Sequence, residues 1–308
     1  MIKFSVVLAV AMASASAQAG VIDLGSIMGG ASVYTSGNFY SHDSDVEGAI
    51  VAGGNVTVQG YAVNLKQQPA FGKYAVVAGG DISLTNGTIH GPVSAGKTVS
   101  ATNADLPSHT TVKPIDFDAA SKQFAQIAAG LSGMDKTGDV VRQDSANKVI
   151  GSGKGSVDIF NVSADFLSGG NNWLLEGLIA GQTLIFNVSG DHGKFEGGMH
   201  ALAGYNVLFN FFEAETVDVK SVLGSVLAPH ATVVHNWGDI MGQVIADSWE
   251  SSVQVNLGNN FKPVDVPGFE LVDNNPPVDT PSEVAEPGTL VLMMAGLLGA
   301  ITLRRRRA

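Results

Sequence analysis

The chain has 308 residues, with 17 Lys and Arg against 28 Asp and Glu, a formal charge of −11, 38 glycines and no cysteine. Without thiols, cysteine nucleophiles, disulfides and Cys-ligated zinc are excluded, and the acidic balance argues against nucleic acid as a partner. Hydrophobic residues reach 45% while charged ones stay at 15%, enough for a sizeable core.

Residues 1–19 read as a signal peptide. Met1-Ile2-Lys3 is a positive start, an apolar run follows to Met12, and Ala17-Gln18-Ala19 before Gly20 is the small-x-small pattern of a signal-peptidase site. The mature chain is expected to begin at Gly20. Its body, 20–262, is more acidic than the whole, because Lys3 and four C-terminal arginines inflate the basic count. Such a surface keeps an exported protein soluble and gathers divalent cations.

Within the body one pattern recurs: glycine, a few apolar residues, then alanine and a turn. It stands as Gly48-Ala49-Ile50-Val51-Ala52-Gly53-Gly54-Asn55, Ala75-Val76-Val77-Ala78-Gly79-Gly80-Asp81 and Gly91-Pro92-Val93-Ser94-Ala95-Gly96. Further copies are Gly177-Leu178-Ile179-Ala180-Gly181, Ala201-Leu202-Ala203-Gly204, Gly224-Ser225-Val226-Leu227-Ala228-Pro229 and Gly242-Gln243-Val244-Ile245-Ala246-Asp247. Alternating apolar residues follow, such as Val56 and Val58, then Ile82 and Leu84. Spacings of 17 residues from Ala78 to Ala95 and 18 from Ala228 to Ala246 match one turn of a parallel β-solenoid. A β-sandwich of Gly-rich hairpins is the competing reading, but hairpins would not need a preserved Ala-Gly corner. The expected fold is mainly β: a parallel, β-helix-like solenoid. Residues 116–131 break the pattern, with Phe117, Ala120, Phe124, Ile127 and Leu131 at helical spacing, and predict one amphipathic helix along its side.

Few motifs offer chemistry. Asp43, Asp45 and Glu47 alternate, so on a strand they share a face where, with loop carbonyls, they would form a Ca²⁺ candidate. Gly91-Pro92-Val93-Ser94-Ala95-Gly96-Lys97-Thr98 matches the P-loop letter for letter. A P-loop needs a helix directly after it, whereas β-branched residues and Pro107 follow, so a corner copy is expected and no nucleotide. His230 and His235 fall on opposite faces of a strand, which disfavours a shared metal. No other cofactor is expected, and no catalytic residue is assigned. Thr57, Thr85, Thr88 and Thr98 do not space as a regular ladder, which lowers the expectation of ice binding.

Residues 263–283 form a Pro-rich, acidic spacer. Val284, Ala285, Glu286 and Pro287 then lead through Gly288 and Thr289 into an apolar stretch, and Arg304, Arg305, Arg306 and Arg307 close it. The stretch 289–303 would span roughly 22 Å as a helix, short for a ~30 Å hydrocarbon core, with the arginines as a cytoplasmic stop.

This tail, 284–308, resembles the PEP-CTERM sorting signal of Gram-negative bacteria, also catalogued as an ice-binding-protein C-terminal domain, although Ala285 stands where the motif has its first proline. The resemblance implies recognition by an exosortase, a membrane cysteine protease, a transient stay in the inner membrane, and passage to the cell envelope or extracellular polysaccharide matrix. Ser44-Asp45-Val46-Glu47-Gly48, with Val51-Ala52-Gly53-Gly54-Asn55-Val56-Thr57 after it, resembles the opening of the choice-of-anchor A domain. That likeness covers roughly 24–260; it implies a plan similar to ice-binding β-solenoids and carries no catalytic residues. The expected protein is therefore a non-catalytic surface or matrix protein whose body serves adhesion or exopolysaccharide association. The alternatives are a binding module for ice, glycan or a host matrix protein, and a polysaccharide-active β-helix enzyme.

Overall fold

Parallel strands stacked coil upon coil, with one helix laid along them, make up a computed structural model that describes residues 20–271. Each coil contributes strands to three faces. The first face stacks Val33–Thr35, Ile50–Ala52, Val76–Ala78 and Val93–Ala95, with Thr35, Ala52, Ala78 and Ala95 in register. The second stacks Phe39–His42, Val56–Gln59, Ile82–Thr85 and Val99–Thr102. The third stacks Asp45–Gly48, Ala62–Gln68 and Thr88–Ile89. This is the expected solenoid, and the alternation works as read: Val56, Val58, Ile82 and Leu84 point inward and are buried.

The coils do not stack in chain order. Val244–Ser251 pairs with Val33–Thr35 through its first half and with Phe39–His42 through its second, so the last coil sits directly on the first. From that seam the coils of 33–102 run one way. Ser225–His235, Asn206–Asn210, Thr183–Ser189 and Val157–Ser163 run the other. A small sheet of Asp139–Gln143, Ala146–Ile150 and Asn172–Glu176 lies alongside these coils, joined where the Thr137 N–H donates to the Ile159 carbonyl and where Trp173 packs on Phe186.

The Ala-Gly corners have a steric cause. Gly79 donates its N–H to the Ala52 carbonyl, and a Cβ on Gly79 would lie 2.1 Å from the Gly53 oxygen of the neighbouring coil. Gly96 meets Gly79 in the same way, at 2.0 Å. Any side chain there would force coils apart that hydrogen bonding holds at about 4.8 Å. Two expected copies are not corners. Gly177-Leu178-Ile179-Ala180-Gly181 is a loop after Asn172–Glu176, with Gly177 and Gly181 at positive φ, and Ala201 and Leu202 belong to the 3₁₀ turn Met199–Leu202. Small apolar residues beside glycine mark loops as readily as corners.

The predicted helix is Phe117–Ser132, within a residue of expectation at each end, capped by the Asp116 carboxylate, which accepts from the Ala119 N–H. It covers the outer side of the first face, burying Phe124, Ile127 and Leu131 in one cluster with Tyr34, Val51, Ile185, Leu208 and Leu227. Buried asparagines fasten its last turns: Asn210 Nδ2 donates to the Ala128 carbonyl and Asn187 Nδ2 to the Leu131 carbonyl. Gly20–Ile22 pairs antiparallel with Val264–Val266 and Phe269 is buried, so packing continues past residue 263. The signal-peptide residues Ala17 and Ala19, the motif Val284, Ala285, Glu286 and Pro287, the expected membrane segment and Arg304 to Arg307 lie outside the described residues. Among the described residues no helix is long and apolar enough to cross a membrane.

Candidate functional site

The first face is covered by the helix, which leaves the second as a long sheet whose outer side is open. Every other residue of each strand projects outward, and the parallel register lines these residues into columns. One column reads Tyr40, Thr57, Ser83 and Ser100; the next reads His42, Gln59, Thr85 and Thr102. Neighbours within a column sit about 4.8 Å apart, and the two columns about 7 Å apart along each strand. The outcome is a two-column hydroxyl and amide array on a rigid support. Thr57 and Thr85 fall in different columns, Thr88 lies on the third face and Thr98 at a corner, so those four do not line up. The serines complete the array, and a search for threonine alone passes over them.

The corner beside the array is a second ladder. The Asn38 side-chain oxygen accepts from the Asn55 N–H, Asn55 from the Asp81 N–H, and Asp81 from both the N–H and hydroxyl of Thr98. The Thr98 hydroxyl, together with its N–H, holds the Asp81 carboxyl below the usual aspartate range. These side chains replace the sheet's own hydrogen bonds where the chain turns. The P-loop look-alike is part of this corner: Val93–Ala95, the Gly96 turn, then the strand Val99–Thr102, with no helix after it.

Beyond the seam the second face continues through Ser225–His235, Thr216–Val219 and His192–Phe195, and its outer surface becomes charged. Lys194 Nζ lies 2.7 Å from Glu196 Oε1, and Lys220 Nζ 4.0 Å from Glu196 Oε2. The hydrogen bond to Lys194 depresses the Glu196 carboxyl, and the same bond raises the Lys194 amine. His235 Nδ1 stands 2.6 Å from Asp218 Oδ1, while His230 is exposed within the register shift between Ala228 and Thr232.

The three acids considered for Ca²⁺ are spread over separate tasks. Asp43 is a turn residue at φ +50°, facing solvent beside His42. Asp45 Oδ2 accepts from Gln254 Nε2, and Glu47 Oε2 from the Leu257 N–H, so both bind the first coil to the last. Among the described residues no three His, Asp or Glu side chains gather closely enough to hold a metal ion.

A family model described as an ice-binding-like adhesive domain matches residues 25–257, which is the whole solenoid with its helix. The chain belongs to that family. The match to this adhesive domain agrees with the choice-of-anchor A resemblance and with the β-solenoid plan. A second model, the PEP-CTERM protein-sorting motif, matches residues 283–307 and spans the sorting residues and the arginine cluster. An adhesive domain followed by a sorting motif makes this an exported protein sorted to the cell envelope or surface, and the motif implies recognition by an exosortase. Comparisons with curated proteins and with solved structures gave no match.

Proposed function

We propose that this adhesive-domain protein is a non-catalytic component of the outer envelope or its matrix, released from the inner membrane by exosortase cleavage near Ala285-Glu286-Pro287 and associated with exopolysaccharide through the open second face. The observation that carries the reading is the array of Thr57, Ser83, Ser100, Thr85 and Thr102 held in parallel register. Rigid, regularly spaced hydroxyls meet a repeating polyhydroxylated polymer with little ordering cost on the protein side. The non-catalytic reading is supported by the tasks of the nearby carboxylates: Asp45 and Glu47 join coils, Asp218 pairs with His235 and Glu196 with Lys194.

The test is the intact mass and location of the protein in its native host, with and without the double change Glu286→Ala and Pro287→Ala. The expected result is a shortened chain outside the inner membrane, lost in the double variant; an uncut chain held in the inner membrane refutes the sorting step. Association with matrix polysaccharide is expected to fall at least tenfold in Thr57→Val/Ser83→Val/Thr85→Val, read by co-sedimentation, and an unchanged value removes the array from the binding surface. Ice is the second reading, favoured by the parallel register and regular spacing of the same array, and thermal hysteresis of the purified body tests it.

A further inference from the structure

The chain has three tryptophans, and two are core: Trp173 is 3% exposed and Trp249 is fully buried. Trp237 is 60% exposed, on the turn that leaves the charged end of the second face. An exposed aromatic is common on protein surfaces and means little by itself. What sets this one apart is how the coil holds it and what surrounds it.

Gly238, next to it, has φ +127°, and a Cβ there would lie 1.6 Å from the Lys220 carbonyl oxygen of the neighbouring coil. The backbone of the turn is thus fixed by close coil stacking. The His235 ring packs against the indole with centroids 5.2 Å apart and planes at 58°, and Lys220 Nζ sits 4.9 Å from the indole centroid. Around it the polar groups are already oriented: Lys220 and Lys194 share Glu196, and His235 is held by Asp218. The other imidazole nitrogen, Nε2, is closed off from solvent and has no hydrogen-bond partner.

An exposed indole with Lys220 over one face, His235 tilted against it and the Lys194–Glu196 pair joined to Lys220 suits one ligand class especially well. A pyranose has an apolar C–H face to lie on an indole and equatorial hydroxyls around its rim to bond lysines and carboxylates. Other occupants fit less well. A polyanion would meet Glu196 and Asp218, with Asp239 close in sequence, against two lysines. A cation would meet Lys194 and Lys220. An apolar protein partner would have to desolvate these charged pairs.

We propose that the Trp237 corner is a subsite for a neutral pyranose unit of a polysaccharide, stacked on the indole and hydrogen-bonded by Lys220, Lys194 and Glu196. The proposal rests on the exopolysaccharide reading above and gives it a chemical class and a place apart from the hydroxyl array.

The test uses the full chain in detergent micelles with 5-fluorotryptophan at its three tryptophans, the Trp237 resonance being assigned from Trp237→Phe. Cellohexaose and chitohexaose are the neutral probes and an oligoguluronate the acidic one, with backbone amide shifts followed in parallel. The expected result is a saturable shift of the Trp237 resonance with a neutral probe, at a Kd of about 1 mM, while Trp173 and Trp249 stay still. In backbone amide titrations Trp237→Ala should weaken binding roughly tenfold or more, and Trp237→Phe, which keeps a ring, much less. Unchanged thermal unfolding of both variants shows that they fold. Shifts at Thr57, Ser83 and Ser100 without any at Trp237 overturn the corner and leave the array reading standing. A shift at Trp237 with the oligoguluronate alone overturns the neutral class, and no shift anywhere overturns both readings.

Discussion

The coils on the two sides of the seam share one plan but differ in how their interior is filled. In 33–102 the interior is mostly aliphatic, with Val56, Val58, Ile82, Leu84 and Val93 beside Phe39 and Tyr61, and corners at Gly53, Gly79 and Gly96 let backbone meet backbone. In 157–257 valines such as Val207, Val217 and Val226 still line the interior, but a cluster of rings is added to them. Phe160, Phe186 and Phe209 stack nearly parallel with centroids 4.9 and 5.0 Å apart, and Trp173 and Phe195 meet Phe209 edge-on at 5.9 and 4.9 Å. The outer surfaces differ in parallel: neutral hydroxyls on one side of the seam, ion pairs and an indole on the other. Close glycine corners recur on both sides of the seam, at Gly238 and Gly242 as at Gly79, whereas the stack of rings belongs to one side, and the two kinds of contact should fail differently.

The largest effect is expected in the aromatic half. Phe209→Ala removes a ring that touches Phe186, Trp173 and Phe195, and should cost about 4 kcal/mol, read by chemical denaturation. Phe209→Leu should recover much of that, because the failure there is one of volume. Gly79→Ala should cost about 3 kcal/mol, and there no larger side chain will rescue, since the obstacle is the Gly53 carbonyl 2.1 Å from the added Cβ. If Gly79→Ala proved neutral, corner closeness would not be what holds the N-terminal coils.

A third expectation concerns the helix that spans both halves. Asn210 donates to the Ala128 carbonyl and to the Asn187 side-chain oxygen, and Asn187 to the Leu131 carbonyl and to Asn161. Asn210→Ala leaves two buried acceptors without that donor and should cost about 2 kcal/mol. Hydrogen exchange should quicken in the last turns of Phe117–Ser132 and not at its capped start. Uniform quickening along the helix would mean that the apolar face alone docks it.

What was legible in the sequence follows the same division. The corners at Ala52-Gly53, Ala78-Gly79 and Ala95-Gly96 could be read because steric closeness admits so few residues, and the helix because its burial has a period. The seam could not. Val33 pairs with Val244, and nothing local in either segment specifies a partner so distant in the chain. The array was only half visible, because column membership depends on a register that 26 residues separate between Ala52 and Ala78 and 17 between Ala78 and Ala95. Asp45 and Glu47 looked like ligands because alternation shows which residues share a face but not what lies opposite. The Asn161, Asn187 and Asn210 column and the Trp237 corner left no signal beyond recurring polar residues in apolar strands and a lone aromatic.

The smallest expected effect separates the rungs of the corner ladder. Asn55 accepts from the Asp81 N–H with a neutral side chain, whereas Asp81 accepts from Thr98 with a carboxylate. The Thr98 hydroxyl and N–H favour the ionised form, so the folded-state pKa of Asp81 lies below the usual value of 3.8. A group depressed in this way binds its proton more readily when unfolded. Its stabilisation is therefore present above 3.8 and lost as the pH falls through the lower folded value. Asp81 is exposed, so the loss should be small and local. Asp81→Asn should lower Tm slightly at pH 6, and the difference should close below the aspartate range, where the protonated acid and the amide carry the same charge. Asn55→Ala should lower Tm equally at both pH values, since that rung does not titrate. A difference for Asp81→Asn that persisted undiminished into acid would show that its rung is held by shape, like its neighbour.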